Sequence, residues 1–180
     1  MTTSSTRSSR TPAPALRELR AGDRAPLAAL LRATARFTDE EVGVALGLID
    51  AELAAAAARP DDARFFVAES DGRVCGYVCY GRVPLSDGVY GVSWIAVEPK
   101  LQGRGTGRAL LAAVESEVAR LGGRTIVIET GGKPSYATTR AFYEAAGYAE
   151  IARLPDYFRL GDDKVFYARP IDGTPRTRSR

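Results

Sequence analysis

The sequence predicts one mixed α/β domain. Three observations carry that prediction. The chain has 180 residues, the length of a single domain, and 45% of them are hydrophobic, enough for a proper core. The hydrophobic period switches along the chain between the two-residue repeat of strands and the 3.6-residue repeat of helices. And a glycine-rich turn joins a strand directly to a long amphipathic helix.

Residues 1–14 and 173–180 are Ser/Thr/Pro/Arg-rich and lack a packing pattern, so they are expected to be disordered basic tails around a domain at 15–172. Ala15–Leu19 reads as a first strand. Asp23 is expected to cap a helix that runs to about Arg36, with Leu27, Leu30 and Leu31 at helical spacing. Thr38-Asp39-Glu40-Glu41 has the form of a capping box for a second helix through Val42, Leu46, Ile49 and Leu53 to about Ala58. The period then becomes two. Arg64–Glu69 and Arg73–Val83 form a hairpin about Ser70-Asp71-Gly72, and Tyr90–Val97 continues the meander after the loop Pro84–Gly88. A helix from about Arg108 buries Leu110, Leu111, Val114, Val118 and Leu121 and stops at Gly122-Gly123. Thr125–Glu129 is β-branched and apolar, as a strand buried on both faces requires. Tyr136–Ala146 is a short helix. Tyr148–Leu154 and Lys164–Arg169 are two last strands about Gly161-Asp162-Asp163.

Charge and residue usage exclude several functions. The formal charge is +3, with 25 Lys plus Arg against 22 Asp plus Glu. Arg7, Arg10, Arg176, Arg178 and Arg180 lie in the tails; without them, 20 bases face 22 acids. Nucleic-acid binding by the body is thereby disfavoured, because it needs a basic face on the folded part. Nor does any apolar run approach the ~18–20 residues that span a bilayer. With no histidine in the chain, His bases, Ser-His or Cys-His pairs and His-ligated metals are excluded, and no metal is expected. Cys75 and Cys79 sit about 13 Å apart along one strand, too far for a disulfide, and are expected on one face as buried free thiols. That usage fits a reducing cytoplasm.

The turn Gln102-Gly103-Arg104-Gly105-Thr106-Gly107 carries the chemistry. Alternate glycines let backbone approach a ligand, and the helix that follows offers unpaired amides and a partial positive charge. Arg104 and Arg108 add formal charge. A triphosphate loop needs Lys then Ser/Thr after its last glycine, but Arg108-Ala109 stand there. The dinucleotide fingerprint needs a glycine where Arg108 falls. What remains is the pyrophosphate of coenzyme A, or a turn without a ligand.

Gln102–Gly107 resembles the Q/R-x-x-G-x-G/A signature of the GNAT (Gcn5-related N-acetyltransferase) superfamily. Thr138-Thr139-Arg140-Ala141-Phe142-Tyr143-Glu144-Ala145-Ala146-Gly147-Tyr148 is similar to its second signature, A-x-x-F-Y-x-x-x-G-F. The resemblance covers about residues 15–170. It implies the GNAT fold, α/β with a mixed, mostly antiparallel central sheet of about seven strands and four helices. It further implies a V-shaped opening between the strands ending at Val97 and Glu129, with acetyl-CoA as co-substrate. Gln102, Gly103, Arg104, Gly105, Thr106, Gly107 and Arg108 would then take the pyrophosphate. Backbone at Ile95, Ala96 and Val97 would take the pantetheine, with the Val97 amide as oxyanion donor. Where the family often has Asn, Tyr136 or Thr138 would substitute.

Acetyl transfer to an amine moves two protons. Tyr143, at the family's tyrosine position, is the expected acid, since a phenol of pKa about 10 matches a thiolate of about 8.5–10. Glu129 is the expected base, directly or through water; Glu98 is a weaker rival. The acceptor pocket is expected between the second helix, the loop Pro84–Gly88 and the hairpin Pro155–Asp163. Asp39, Glu40, Glu41, Asp87, Asp156, Tyr157, Asp162 and Asp163 lie there, and most of them read better as caps and turns than as an acidic rim. The expectation is an N-acetyltransferase acting by direct attack through a tetrahedral intermediate on a small-molecule amine or a protein N-terminus. The alternative is a non-catalytic CoA-binding or sensor module of the same fold. The resemblance also implies a homodimer edge at the C-terminal hairpin.

Overall fold

A computed structural model describes residues 14–55 and 63–171 of the chain. The expected tails and the end of the second helix's alanine run fall outside them. Seven strands form one sheet in the order β1-β2-β3-β4-β5-β7-β6: β1 Ala15–Glu18, β2 Arg64–Ser70, β3 Arg73–Arg82, β4 Val89–Val97, β5 Thr125–Gly131, β6 Ala149–Arg159 and β7 Asp162–Pro170. Four helices accompany them: α1 Arg24–Ala33, α2 Asp39–Ala54, α3 Thr106–Arg120 and α4 Ala137–Ala145. Every strand pairing is antiparallel except β4 with β5.

The helices divide between the two faces of the sheet. Leu27, Leu31, Val42 and Ile49 of α1 and α2 pack with Phe65, Val67, Tyr77 and Cys79 on one face. Leu110, Leu111, Val114 and Val118 of α3 pack with Val78, Val92, Ile126, Ile128 and Tyr167 on the other, where Tyr143 of α4 joins them. The β5 strand lies inside the sheet between β4 and β7 and buries Ile126 and Ile128 almost completely, as its unbroken apolar run requires.

Besides the irregular pairing of β6 with β7, one bulge in β3 and one in β4 interrupt this regular pattern. Ala68 pairs with Gly76 and Glu69 with Val74, so Cys75 is an extra residue on β3. A bulge reverses the face of the residue it inserts. Cys75 therefore packs on the α3 side and Cys79 on the α2 side, both buried and free, rather than sharing one face. Likewise Cys79 pairs with Trp94 and Tyr80 with Val92, which leaves Ser93 as the extra residue on β4.

Several boundaries move from their expected places. The first helix stops at Ala33, three residues short of Arg36. Asp23 precedes it but does not cap it by a side-chain bond. Its carboxylate instead takes Arg17 at 2.7 and 2.8 Å and the Arg20 amide at 2.8 Å, because a guanidinium fork offers it stronger bonds than an amide of α1 would. The capping box at Thr38 and Glu41 forms as expected. The α3 helix opens at Thr106, not Arg108. The stretch after Leu154, expected in the hairpin Pro155–Asp163 beyond the strand's end, continues β6 to Arg159 through irregular pairing. Pro155 is tolerated there because β6 is the outer edge of the sheet. All of β6 is exposed, including Ile151, Leu154, Tyr157 and Phe158.

Candidate active site

The parallel pairing of β4 with β5 covers only Val89–Val92 against Thr125–Ile128. Beyond it the strands part, and the parting begins at the Ser93 bulge. A cleft of about 760 Å³ opens there, lined on one side by Ser93–Val97 and on the other by Glu129, Thr130 and Gly131. The Glu98 amide donates to the Cys75 carbonyl on β3, 2.9 Å away. Strand alternation then turns the N–H and C=O of Val97 and Ile95 away from β3 and into the cleft. Gln102 shows this directly: its Nε2 donates to the Val97 carbonyl at 3.1 Å.

The glycine-rich turn forms the cleft floor through Gln102, Gly103, Gly105, Gly107 and Arg108. Gly105 is the residue before α3 and has φ +90, a conformation that residues with a Cβ rarely take. It has no side chain to cap the helix. The first intrahelical amide bond is Ala109 to Gly105 at 2.9 Å, and the amides of Thr106, Gly107 and Arg108 have no acceptor among the described residues. Three unbonded donors therefore stand at the positive end of a 15-residue helix, the donor set that a diphosphate needs. A Cβ on Gly107 would stand 3.1 Å from the Phe142 ring, so this glycine lets α4 close against α3.

The side chains of the turn divide in role. Thr106 is buried and packs its methyl beside Gly76, so only its backbone serves the seat. Arg104 is exposed and does not line the cleft. The Arg108 guanidinium donates to the Ala146 carbonyl at 2.9 Å and lies 3.7 Å from Glu115, which ties the seat to the end of α4. Arg140 donates to the carbonyls of Gly131 and Lys133 at 2.9 and 3.0 Å, bracing the loop after β5.

Tyr143, Tyr136 and Thr138 all line the cleft. Tyr143 is 4% exposed, with its ring against those of Phe142, Tyr148 and Tyr167. Burial pushes its phenol well above the ordinary range, with a smaller push from Tyr136. Burial thus moves the phenol away from the match near 10 on which the expectation rested. Tyr136 packs over Gly131, and its hydroxyl reaches the Arg36 carbonyl at 3.4 Å. Burial raises its phenol too.

Glu129 lies in the cleft as expected, but paired. The Lys164 ammonium contacts its carboxylate and sits 4.5 Å from the centre of the Tyr157 ring. Burial lowers the Lys164 pKa, but the bonds and charges of Glu129 and Tyr157 together more than offset that and leave it raised. Lys164 escaped the sequence reasoning. One signal was available: the chain has only three lysines among its 25 basic residues, so each departs from an arginine habit.

The acceptor end differs from expectation. The loop Pro84–Gly88 contributes nothing to the cleft, because it precedes β4 while the cleft lies at the other end of that strand; Arg124 holds Asp87 there at 3.1 Å. Of the expected acids only Glu41 lines the cleft. Asp162 binds Lys133 at 2.9 Å, and Asp163 binds Arg153 at 3.2 Å. Aromatic rings take the acids' place: Phe37, Trp94 and Phe158.

This geometry agrees with comparisons to known proteins. A profile of the acetyltransferase (GNAT) domain matches residues 61–150. A crystal structure from Desulfovibrio desulfuricans, assigned to the GNAT family as an acetyltransferase, is 41% identical, with a TM-score of 0.84 over 88% of this chain and 99% of that one. The chain belongs to the GNAT acetyltransferase family. Two curated relatives are each 34% identical: an uncharacterised N-acetyltransferase of Methanocaldococcus jannaschii over 102 residues, and a mycothiol acetyltransferase of Cellulomonas flavigena over 138. The matches cover 56% and 71% of this chain, but the chain spans only 62% and 36% of those relatives. The seven-strand GNAT sheet with four helices is the one the motifs implied. Among the described residues no helix is long and apolar enough to cross a membrane, and no cluster of His, Cys, Asp and Glu is fit to hold a metal.

Proposed function

We propose that this GNAT chain is an N-acetyltransferase that moves an acetyl group from acetyl-CoA to a primary amine by direct attack. One observation carries the reading: β4 and β5 part at Ser93, directly above a helix start whose three first amides are unbonded. The donor set fits the co-substrate. The amides of Thr106, Gly107 and Arg108 suit its diphosphate, and the cleft-facing groups of Ile95 and Val97 suit the amides of its pantetheine arm. When bound, acetyl-CoA supplies an activated acyl group on a sulfur leaving group.

The chain's own groups divide the remaining work. The Val97 N–H donates to the acyl oxygen as it gains charge. Glu129 receives the proton of the attacking amine through a water, with Lys164 holding the carboxylate in place. Tyr143 donates a hydrogen bond to the departing sulfur. With its phenol raised by burial, complete transfer to a thiolate of about 8.5–10 runs uphill, so the bond rather than the transferred proton is its contribution.

The test pairs calorimetry of acetyl-CoA binding with thiol release over an amine panel. Heat of binding together with amine-dependent release supports the enzyme. Binding without release for any amine supports the sensor module instead. Absence of binding removes both.

A further inference from the structure

We infer that the acceptor is a monoamine carrying an aromatic ring on a short chain, an aralkylamine, rather than a polycation. This rests on the acetyl-transfer reading of the same cleft. The observation behind it is what replaces the expected acidic rim.

Three separate elements bring rings to the acceptor end. Phe37 stands on the connection between α1 and α2. It meets Trp94, on the part of β4 that no longer pairs with β5, edge-on at 5.2 Å. Phe158 reaches the same cleft from β6 and is 51% exposed. Rings met edge-on leave faces and edges against which another ring can pack. Neither Phe37 nor Trp94 is fully buried, so ligand surface can still be taken out of water against them.

Charge points the same way. The ionisable side chains lining this end are Glu41, Glu129, Arg36 and Lys164, two of each sign. Glu129 is paired with Lys164. The Glu41 carboxylate receives the Thr38 amide at 2.7 Å and the Thr38 hydroxyl at 2.9 Å. Arg36 donates to the Ser135 carbonyl. A compartment whose charges balance does not concentrate a polyamine. It also does not hold a bound amine as ammonium, as an acidic pocket would, so less free energy is needed to reach the neutral nucleophile. One amine is accommodated, and the remaining affinity comes from apolar contact.

The experiment is calorimetry in the presence of CoA with 2-phenylethylamine, n-butylamine and spermidine as titrants, repeated on Phe158→Ala and on Trp94→Leu. Ring burial predicts that 2-phenylethylamine binds roughly tenfold more tightly than n-butylamine. Phe158→Ala, on the exposed edge strand, should narrow that ratio to about threefold or less. CoA binding to each variant reports that it has folded. Spermidine binding as tightly as 2-phenylethylamine, or equal binding of the two monoamines, overturns the inference. So does a ratio that neither substitution changes. Selective binding of 2-phenylethylamine without thiol release from acetyl-CoA refutes the transfer reading but leaves the aromatic compartment standing.

Discussion

Gly105 allows the anion seat to be tested separately from the fold. Its φ of +90 lies in the left-handed region, and nothing lies within 4 Å of an added Cβ. Gly105→Ala thus costs only backbone strain, about 1–2 kcal/mol for an L-residue in that conformation. In a domain of this size that lowers Tm by roughly 2–8 °C. Gly105→Glu carries the same strain and adds a carboxylate where the helix amides face out. Against a phosphate about 4 Å away, unit charges repel by about 1 kcal/mol in bulk water and about 4 at an effective dielectric of 20. The Glu variant should therefore bind CoA roughly 5- to 1000-fold more weakly than the Ala variant. The Glu variant should melt no lower than the Ala variant, because the exposed side chain strains no neighbour and its carboxylate faces the positive end of α3. Calorimetry of CoA against both variants, with wild type as reference, reads the difference. Equal affinities for Ala and Glu at matched stability would mean that no anion sits at this helix start, and the reasoning from unbonded amides would fail.

Other consequences can be checked as directly. Tyr143→Phe should lower kcat about 10²-fold with CoA affinity retained, and because burial raises the phenol, wild-type activity should show no loss attributable to Tyr143 ionisation near pH 10; a pH-rate profile of both proteins decides it. Asp23→Asn should cost about 3 kcal/mol in urea denaturation, since it leaves Arg17 partly buried without its main partner. Burial raises the Asp23 pKa, but the bonds from Arg17 and Arg20 more than offset that and leave it lowered. Its contribution is then full above the ordinary aspartate range and lost as pH falls below about 4, so wild type should lose stability there and the variant should lose less. Leu111→Ala, fully buried under the sheet, should cost about 2–5 kcal/mol in the same assay.

The glycine-turn half of the cleft was legible in the sequence because it is built from contiguous residues. Gln102–Gly107 and the helix after it carry their own geometry: glycines for the approach, an uncapped start, an apolar stripe for docking. The α4 segment is equally local. The bulges were not legible. Nothing in Arg73–Arg82 marks Cys75 as the inserted residue, because the register of β3 is set by its partners on β2. Hence two cysteines four apart, which an ideal strand puts on one face, lie on opposite faces. The loop Pro84–Gly88 was misplaced for a simpler reason: each strand has two ends, and only the strand's direction says which end meets the cleft. The aromatic wall of the cleft was unreadable because Phe37, Trp94 and Phe158 come from three distant segments, each apolar enough to pass for core.

The Ser93 bulge connects these parts. A regular β4 would continue its parallel pairing with β5 past Val92, and the amides of Ile95 and Val97 would be used within the sheet. Inserting one residue shifts the β3–β4 register at Cys79 and Tyr80 and turns β4 from β5 where pairing stops. The unused backbone groups then face a cleft instead of a strand. The same insertion places Val92 in the α3-side core and Trp94 in the α2-side one, although two residues apart they would ordinarily share a face. Trp94 thereby meets Phe37. On the proposed function, one extra residue thus supplies both the polar edge for the pantetheine arm and the first ring of the acceptor wall. Its removal should close both together: deleting Ser93 is expected to abolish CoA binding and selectivity among amines while the far half of the sheet, β1 to β3, keeps its hydrogen-exchange protection. Retained CoA binding in a folded deletion variant would show that the cleft does not depend on the bulge.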